Sequence, residues 1–349
     1  MRLTVVIPNR NHSALLPRSL GAIANQHRQP DEIILVDDAS TDNSVEVIRG
    51  FQTQLPQLRL LQNERRLGAV GALNVGVRAA TGDAIYCGAA DDETDPALIE
   101  TVLAALERAP SAGLACAEAR VMDEDGRVLG IRPAVAPAIR EKFFSAVETA
   151  TLLRHIDNWV LSVVTIVRRE AMLAAGGFDP SVGSFCDSFL ARRIALMSGF
   201  VFVPHVLGTW HVQARSYSRS TSLDPEKLAE LIAVCCERVR RDEGSVFPPG
   251  YSEVFARRAR FSSGRLAITE RDYDSVLINS LALGGQLDAR CLSLFQRLPS
   301  RVRRTAALSW LTLRLHPISL VRLGHTMLWR RMRGAMGLTL DAAPSHTAA

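Results

Sequence analysis

Short β-rich apolar runs alternate with helix-period patterns along the first 120 residues of the chain. Leu3 to Ile7 reads as a strand, Ser13 to Asn25 as a helix and Glu32 to Val36 as a second strand. The turn-forming run from Asp37 to Asn43 then hands over to a helix from Ser44 to Phe51. Leu58 to Leu61 predicts a third strand, Val70 to Ala80 a helix and Ala84 to Cys87 a fourth strand. Repeated βα units of this length imply parallel strands with helices on both faces, and functional groups then gather where strands end.

Further along, a helix is expected from Pro96 to about Arg108 and a strand from Gly113 to Arg120. Asp123-Glu124-Asp125-Gly126 reads as a hairpin turn. Trp159 to Val167 is strand-like, Gly176 to Pro180 is a turn, and a helix from Asp187 to Ser198 precedes a strand from Phe200 to Val206. Beyond about Ser220 the pattern is helical only. That change places a soft boundary between residues 1–219 and 220–349, with Gly244 to Gly250 as a linker and a frayed tail from Leu340 to Ala349.

Composition narrows the class. With 47% hydrophobic and 22% charged residues, the chain supports a sizeable core and is not globally disordered. No apolar run approaches the roughly 18 to 20 residues that span a bilayer. Pro8 and Asn9-Arg10-Asn11 interrupt the first apolar run before a signal-peptide core forms, so residence in the cytoplasm is expected. The six cysteines, at 87, 116, 186, 235, 236 and 291, show no C-x-x-C pair and are expected to be reduced, partly buried thiols.

The net charge of +5 conceals a division. Residues 251 to 349 hold 15 Arg against 6 acidic residues, a balance of +9, while the first 250 carry 26 basic against 30 acidic residues. Such a basic segment suits anionic lipid, nucleic acid or a phosphorylated acceptor.

The candidate chemistry sits at two strand ends, where Asp37-Asp38 and Asp91-Asp92 stand about 50 residues apart. Each pair alone is compatible with a solvated turn. Together at one sheet edge they suit a nucleotide site, one carboxylate bonding a base or ribose and another holding a hard divalent cation on a diphosphate.

The segments Val5 to Asn11, Asp31 to Asp42 and Gly82 to Asp92 resemble the inverting family 2 glycosyltransferases, which have the GT-A fold, and the likeness covers roughly residues 3 to 215. It implies a mixed, mostly parallel sheet between helices, here followed by a helical C-terminal extension. It also implies a nucleotide-diphosphate sugar donor, a Mg²⁺ or Mn²⁺ cofactor, and a glycan, lipid-linked or other hydroxyl acceptor in cell-surface polysaccharide or glycolipid synthesis. By this resemblance Asp38 contacts the base, Asp37 supports its loop, Pro8 and Asn11 lie in the first nucleotide loop, and Asn63, Gly68 and Asn74 match the loop and helix after the third strand. The family's Asp-x-Asp metal motif aligns with Ala89-Ala90-Asp91, so its first carboxylate is missing, Asp91 keeps the ligand position and Asp92 supports the loop. Leu73 stands where the family commonly has Arg. Asp187 takes the general-base position behind Cys186, which replaces a Glu, and His211 takes the position of a His that approaches the metal.

Three residues carry open alternatives. Asp187 is also a plausible helix N-cap, His211 an ordinary packed histidine, and Trp159, behind Asp157-Asn158, either a sugar-stacking face or core. The departures at Ala89 and Leu73 leave a catalytically degenerate nucleotide-sugar binder or membrane-associated assembly protein as the second reading.

The C-terminal arginines, Arg297, Arg301, Arg303, Arg304, Arg330, Arg331 and Arg333, interleave with Trp310, Leu311, Leu315, Leu328 and Trp329. That pattern suits either helices in an anionic membrane interface or a helical subdomain covering the catalytic part or forming a dimer. Their broad apolar face and the lack of a reader module leave nucleic acid unexpected.

Overall fold

The computed structural model describes residues 1–156, 159–212, 217–270, 273–315 and 320–335. The tail expected to fray, Leu340 to Ala349, lies outside them, as do Asp157 and Asn158.

Strict alternation along the first strands sends successive side chains to opposite faces. Val6, Ile34, Val36 and Ile85 join one buried cluster, whereas Val5, Ile7, Ile33, Leu35 and Tyr86 join another across the sheet. The elements are β1 (Leu3–Asn9), α1 (Leu16–Ala24), β2 (Glu32–Asp37), α2 (Ser44–Phe51), β3 (Leu58–Gln62), α3 (Gly68–Ala79) and β4 (Ala84–Cys87). A two-residue β5 (Glu93–Thr94), α4 (Leu98–Arg108), β6 (Leu114–Met122), β7 (Val128–Arg132), β8 (Lys142–Phe144) and α5 (Ala146–Leu153) follow. Then come β9 (Thr165–Arg168), α6 (Arg169–Ala174), α7 (Cys186–Ser198) and β10 (Phe200–His211).

The sheet order is β3-β2-β1-β4-β9-β6-β10-β5, with β7 added to β6 and β8 to β10. β1 to β4 are parallel where they pair, as are β6 and β10, while β9 runs antiparallel between β4 and β6. The mixed, mostly parallel sheet between helices is the expected architecture.

Two expected strands change length. Trp159 is fully buried and stacks on Phe200 with centroids 5.1 Å apart, Ser162–Val164 forms one 3-10 turn, and only Thr165 onward pairs. Continuous apolar runs look alike whether they pair or merely pack. Conversely, β10 runs past Val206 to His211, its register shifting between Val203 and Val206 and again before Thr209. These irregularities accommodate Pro204, which has no N–H to give a ladder. Gly208 answers a close approach, since a Cβ there would lie 2.9 Å from Val164 Cγ1.

The later helices are α8 (Tyr217–Ser222), α9 (Pro225–Arg241), α10 (Tyr251–Glu270), α11 (Ser275–Ala282), α12 (Gln286–Phe295), α13 (Ser300–Leu315) and α14 (Leu320–Ala335). Asp224 and Asp274 cap α9 and α11 by accepting from the first free N–H groups. One hydrophobic cluster runs from the sheet face under α3 and α7 through these helices to Leu315, so secondary structure changes near residue 220 while the core continues. The stretch from Gly244 to Gly250 is an anchor rather than a loose linker. Phe247, 1% exposed, stacks on Tyr251 and packs on Phe189 of α7, each at 5.5 Å.

The C-terminal arginines divide. Glu118 on β6, 2% exposed, accepts from Arg330 at 2.7 Å and Arg333 at 3.0 Å. Arg330 also donates to the Pro133 carbonyl at 2.7 Å, Arg333 to that of Pro204, and Ala136 N to Thr326 Oγ1 at 3.2 Å. Arg330 and Arg333 therefore latch α14 to the sheet and are not at a lipid interface, because a buried carboxylate is a stronger competitor for them. Trp310 and Arg314 likewise hold the buried Asp288, at 3.0 and 2.9 Å, while Leu311 and Leu315 face the core.

Candidate active site

The tips of β1 and β2 are knitted together by short polar side chains. Asn9 lies opposite Asp37 in register, and its amide donates to Asp37 Oδ1 at 2.8 Å. Asp37 also accepts from Ser40 N at 3.0 Å and Ser40 Oγ at 2.6 Å, closing the turn after β2. Asp38 accepts from Asn63 Nδ2 at 2.9 Å, Leu67 N at 2.7 Å and Gly68 N at 2.8 Å, at the start of α3 where backbone N–H groups are free and the helix dipole favours an anion. Both carboxylates are 2% exposed. A carboxylate has about four acceptor positions, so Asp38 closes the β3–α3 loop first and offers a base only what is left.

Around them the rim is pinned. Asn11, at φ 54°, accepts from Thr41 N at 2.8 Å, and half-buried Pro8 precedes it at the end of β1. Arg10 donates to the carbonyls of Asp38 and Ala39 at 2.7 and 2.8 Å. The Oδ1 of Asn9 is buried without a hydrogen-bond partner, an unused acceptor at this edge.

The Asp91-Asp92 loop is fixed at both ends. β4 leads in, and β5 leads out by pairing antiparallel with Gly208 and Thr209 of β10. That pairing brings the loop beside His211, whose backbone N–H donates to Asp92 Oδ1 at 3.2 Å. From below, Ser19 of α1 donates to the Ala89 carbonyl at 2.9 Å and Arg18 to that of Asp91. Burial, with repulsion from Asp91, pushes the Asp92 carboxyl up to about 8, against the pull of the His211 N–H and Arg18.

A divalent cation suits part of this donor set. His211 Nε2 is buried without a hydrogen-bond partner and lies 3.7 Å from Glu93 Oε2, and the crowded carboxylates repel one another until a cation joins them. Among the described residues no group of three or more His, Cys, Asp or Glu side chains converges on one point. Asp91 and His211 therefore need outside ligands, such as diphosphate oxygens or water, to complete a coordination shell.

Asp187 stands in the first turn of α7, and the N-cap position is filled by Phe185, so the capping alternative fails. Its Oδ2 accepts from Ser162 Oγ at 3.1 Å and its Oδ1 from Ser188 N at 2.6 Å. These bonds aim a half-buried carboxylate into a cavity that it lines together with Ser162, Met172, Phe178 and Cys87, the last residue of β4. The candidate base and the strand that carries the acidic loop thus border one space.

Asn74 has a different job from the nucleotide contact expected of it. Its Nδ2 donates to the Phe178 carbonyl at 2.8 Å and its Oδ1 accepts from Phe178 N at 3.2 Å, so the amide is committed to the turn before α7. Gly177 makes that turn at φ 70°, where a Cβ would be strained. Trp159 packs in the core and offers no sugar-stacking face. Burial, with the charge of Asp187, pushes the Cys186 thiol up to about 12, consistent with a packed thiol and not a nucleophile. Sequence reasoning gave no role to Asn9 and Arg10, inside the first segment, nor to Arg18, Ser19 and Ser162, outside any motif; each acts by donating to a strand-end, loop or helix-start atom.

The sequence model described as Glycosyl transferase family 2 matches residues 4–155. An uncharacterized glycosyltransferase of Nostoc sp. is 28% identical over 212 residues, 58% of this chain and 64% of that protein. The chain thus spans less than two thirds of the length of the first curated relatives it matches. Among solved structures, S. aureus TarS 1–349 in complex with UDP-GlcNAc superposes with a TM-score of 0.59 at 14% identity, covering 89% of this chain and 91% of that one. The mannosyltransferase PcManGT of Pyrobaculum calidifontis, in complex with GDP-Man and Mn²⁺, gives 0.56 at 21% identity, covering 95% and 88%.

Proposed function

We propose that this chain, whose residues 4–155 match the model of glycosyl transferase family 2 and which shares the GT-A fold of its structural neighbours, moves a sugar, with inversion, from a nucleotide-diphosphate donor to an acceptor hydroxyl. The single observation that carries this reading is the cavity shared by Asp187 and the end of β4. Asp187 stands on one side of it, and β4, which leads to the acidic loop, stands on the other. UDP- and GDP-sugars are the donor chemistry, by analogy with what the TarS and PcManGT structures hold.

In this scheme Asp187 takes the proton of the acceptor hydroxyl as its oxygen attacks the anomeric carbon, and the bond from that carbon to the diphosphate breaks on the opposite face. Ser162 and Ser188 N hold the carboxylate on target while leaving it acceptor positions for the hydroxyl. The β1 and β2 tips, with Pro8, Asn11, Asp37 and Asp38, form the nucleotide rim. Asp91 and His211 would hold Mg²⁺ or Mn²⁺, which supplies neutralisation of the departing diphosphate. A glycan or lipid-linked acceptor in cell-surface synthesis fits the reaction class.

Asp187→Asn is expected to lower turnover by about a hundredfold to ten-thousandfold while thermal stabilisation by the donor nucleotide persists. Unchanged turnover removes Asp187 from the chemistry. The second reading, a degenerate nucleotide-sugar binder, is favoured by Ala89 in place of a carboxylate and by the incomplete ligand set. It predicts stabilisation by nucleotide without any dependence on Mn²⁺ and without turnover.

A further inference from the structure

α14 is held on one side and bare on the other. Thr326, Arg330 and Arg333 turn inward to the sheet. On the opposite side Val321, Leu328 and Met332 stand about two and three helical turns apart, and they are 84%, 59% and 48% exposed. They form one narrow apolar strip. Exposed His325 and Arg331 flank it, and neither α13 nor α14 contains a single Asp or Glu. Beside the strip runs a groove between α14 and residues 136–142, its floor including Pro137 and Ile139 and its α14 wall Arg322 and His325.

We propose that this face of α14 docks on an anionic lipid bilayer, the helix lying parallel to the surface with Val321, Leu328 and Met332 at the acyl boundary and His325 and Arg331 among the headgroups. Charge complementarity selects the occupant. A basic rim around an apolar strip, with the one carboxylate in the adjoining groove, Glu141, already paired with Arg108 at 2.8 Å, matches lipid phosphates over hydrocarbon. A second copy of the chain, paired through this face about a two-fold axis, would set one basic rim against another. Nucleic acid has no use for an apolar strip. No helix among the described residues is long and apolar enough to cross a membrane, so the contact is peripheral. The latch supports the geometry, because Glu118 takes Arg330 and Arg333 out of play and thereby fixes which face of the helix points outward. The inference goes beyond the transfer reaction and stands without it.

The test is co-sedimentation of the full chain at low salt with phosphatidylcholine vesicles, with and without phosphatidylglycerol. The wild type is expected to pellet with the anionic vesicles only. The double substitution Val321→Glu, Leu328→Glu, at sites too exposed to unfold the protein, is expected to weaken partitioning at least about tenfold with an unchanged melting temperature. Arg331→Glu is expected to weaken it less and to flatten its salt dependence. Wild-type protein that stays in the supernatant, or a double variant that pellets like the wild type, overturns the proposal. So does self-association, seen by light scattering, that the double substitution abolishes, because the strip then buries a second copy.

Discussion

Asn74 and Phe178 grip each other through two hydrogen bonds, at 2.8 and 3.2 Å, across 104 residues of chain. The contact ties α3, whose start Asp38 holds, to the turn that launches α7 and Asp187. Asn74→Ala leaves the Phe178 N–H and carbonyl without these partners and is expected to cost about 2 kcal/mol. Asn74→Asp should cost more, since a carboxylate then faces the Phe178 carbonyl. Urea midpoints at unchanged m-value measure both, and midpoints equal to wild type would show that the clamp is idle.

The latch on Glu118 makes a sharper prediction. Glu118→Ala strands two arginines in a buried setting and is expected to destabilise by about 3–5 kcal/mol. Replacing Glu118, Arg330 and Arg333 together by methionine should recover most of that loss, because the apolar set needs no counter-charge. A triple variant as unstable as Glu118→Ala would assign the effect to packing alone.

Acid should loosen the rim formed by the β1 and β2 tips through Asp42. Burial raises its carboxyl, but hydrogen bonds from Ser44 and from Ser13 outweigh that and hold it at about 2, below the usual 3.8. A depressed folded pKa means that the unfolded chain binds the proton first. The contribution is therefore present above about 4 and is lost as pH falls toward about 2. Melting temperatures measured down that range should fall more steeply for wild type than for Asp42→Asn. Parallel curves would remove Asp42 from acid sensitivity.

Much of the fold was legible because β1 to β4 are short, β-rich apolar runs and the turns after Asp37 and Cys87 punctuate them. The hairpin at Asp123 to Gly126 was read correctly, since β6 and β7 pair antiparallel across it. The helix start that carries Asp187 was also readable, one residue from its observed place at Cys186. The core place of Trp159 and the clamp made by Asn74 were not readable, because their partners, Phe200 and Phe178, are distant in sequence and no local pattern encodes such pairings. The same blindness applied to the basic C-terminal run. Composition shows eight arginines in α13 and α14, but only the fold shows Glu118 and Asp288 waiting for three of them. Ser162 and Ser19 carry no signal in sequence, because a serine that steadies a loop looks like any other.

The loop from Gly88 to Asp92 is short, and strands hold both its ends while α1 holds its carbonyls. Its ordering entropy was therefore spent during folding and not at encounter. A ligand that reaches Asp91 and Asp92 meets a surface already in place, so its association rate should follow diffusion and charge, with no slow phase from a loop finding its shape.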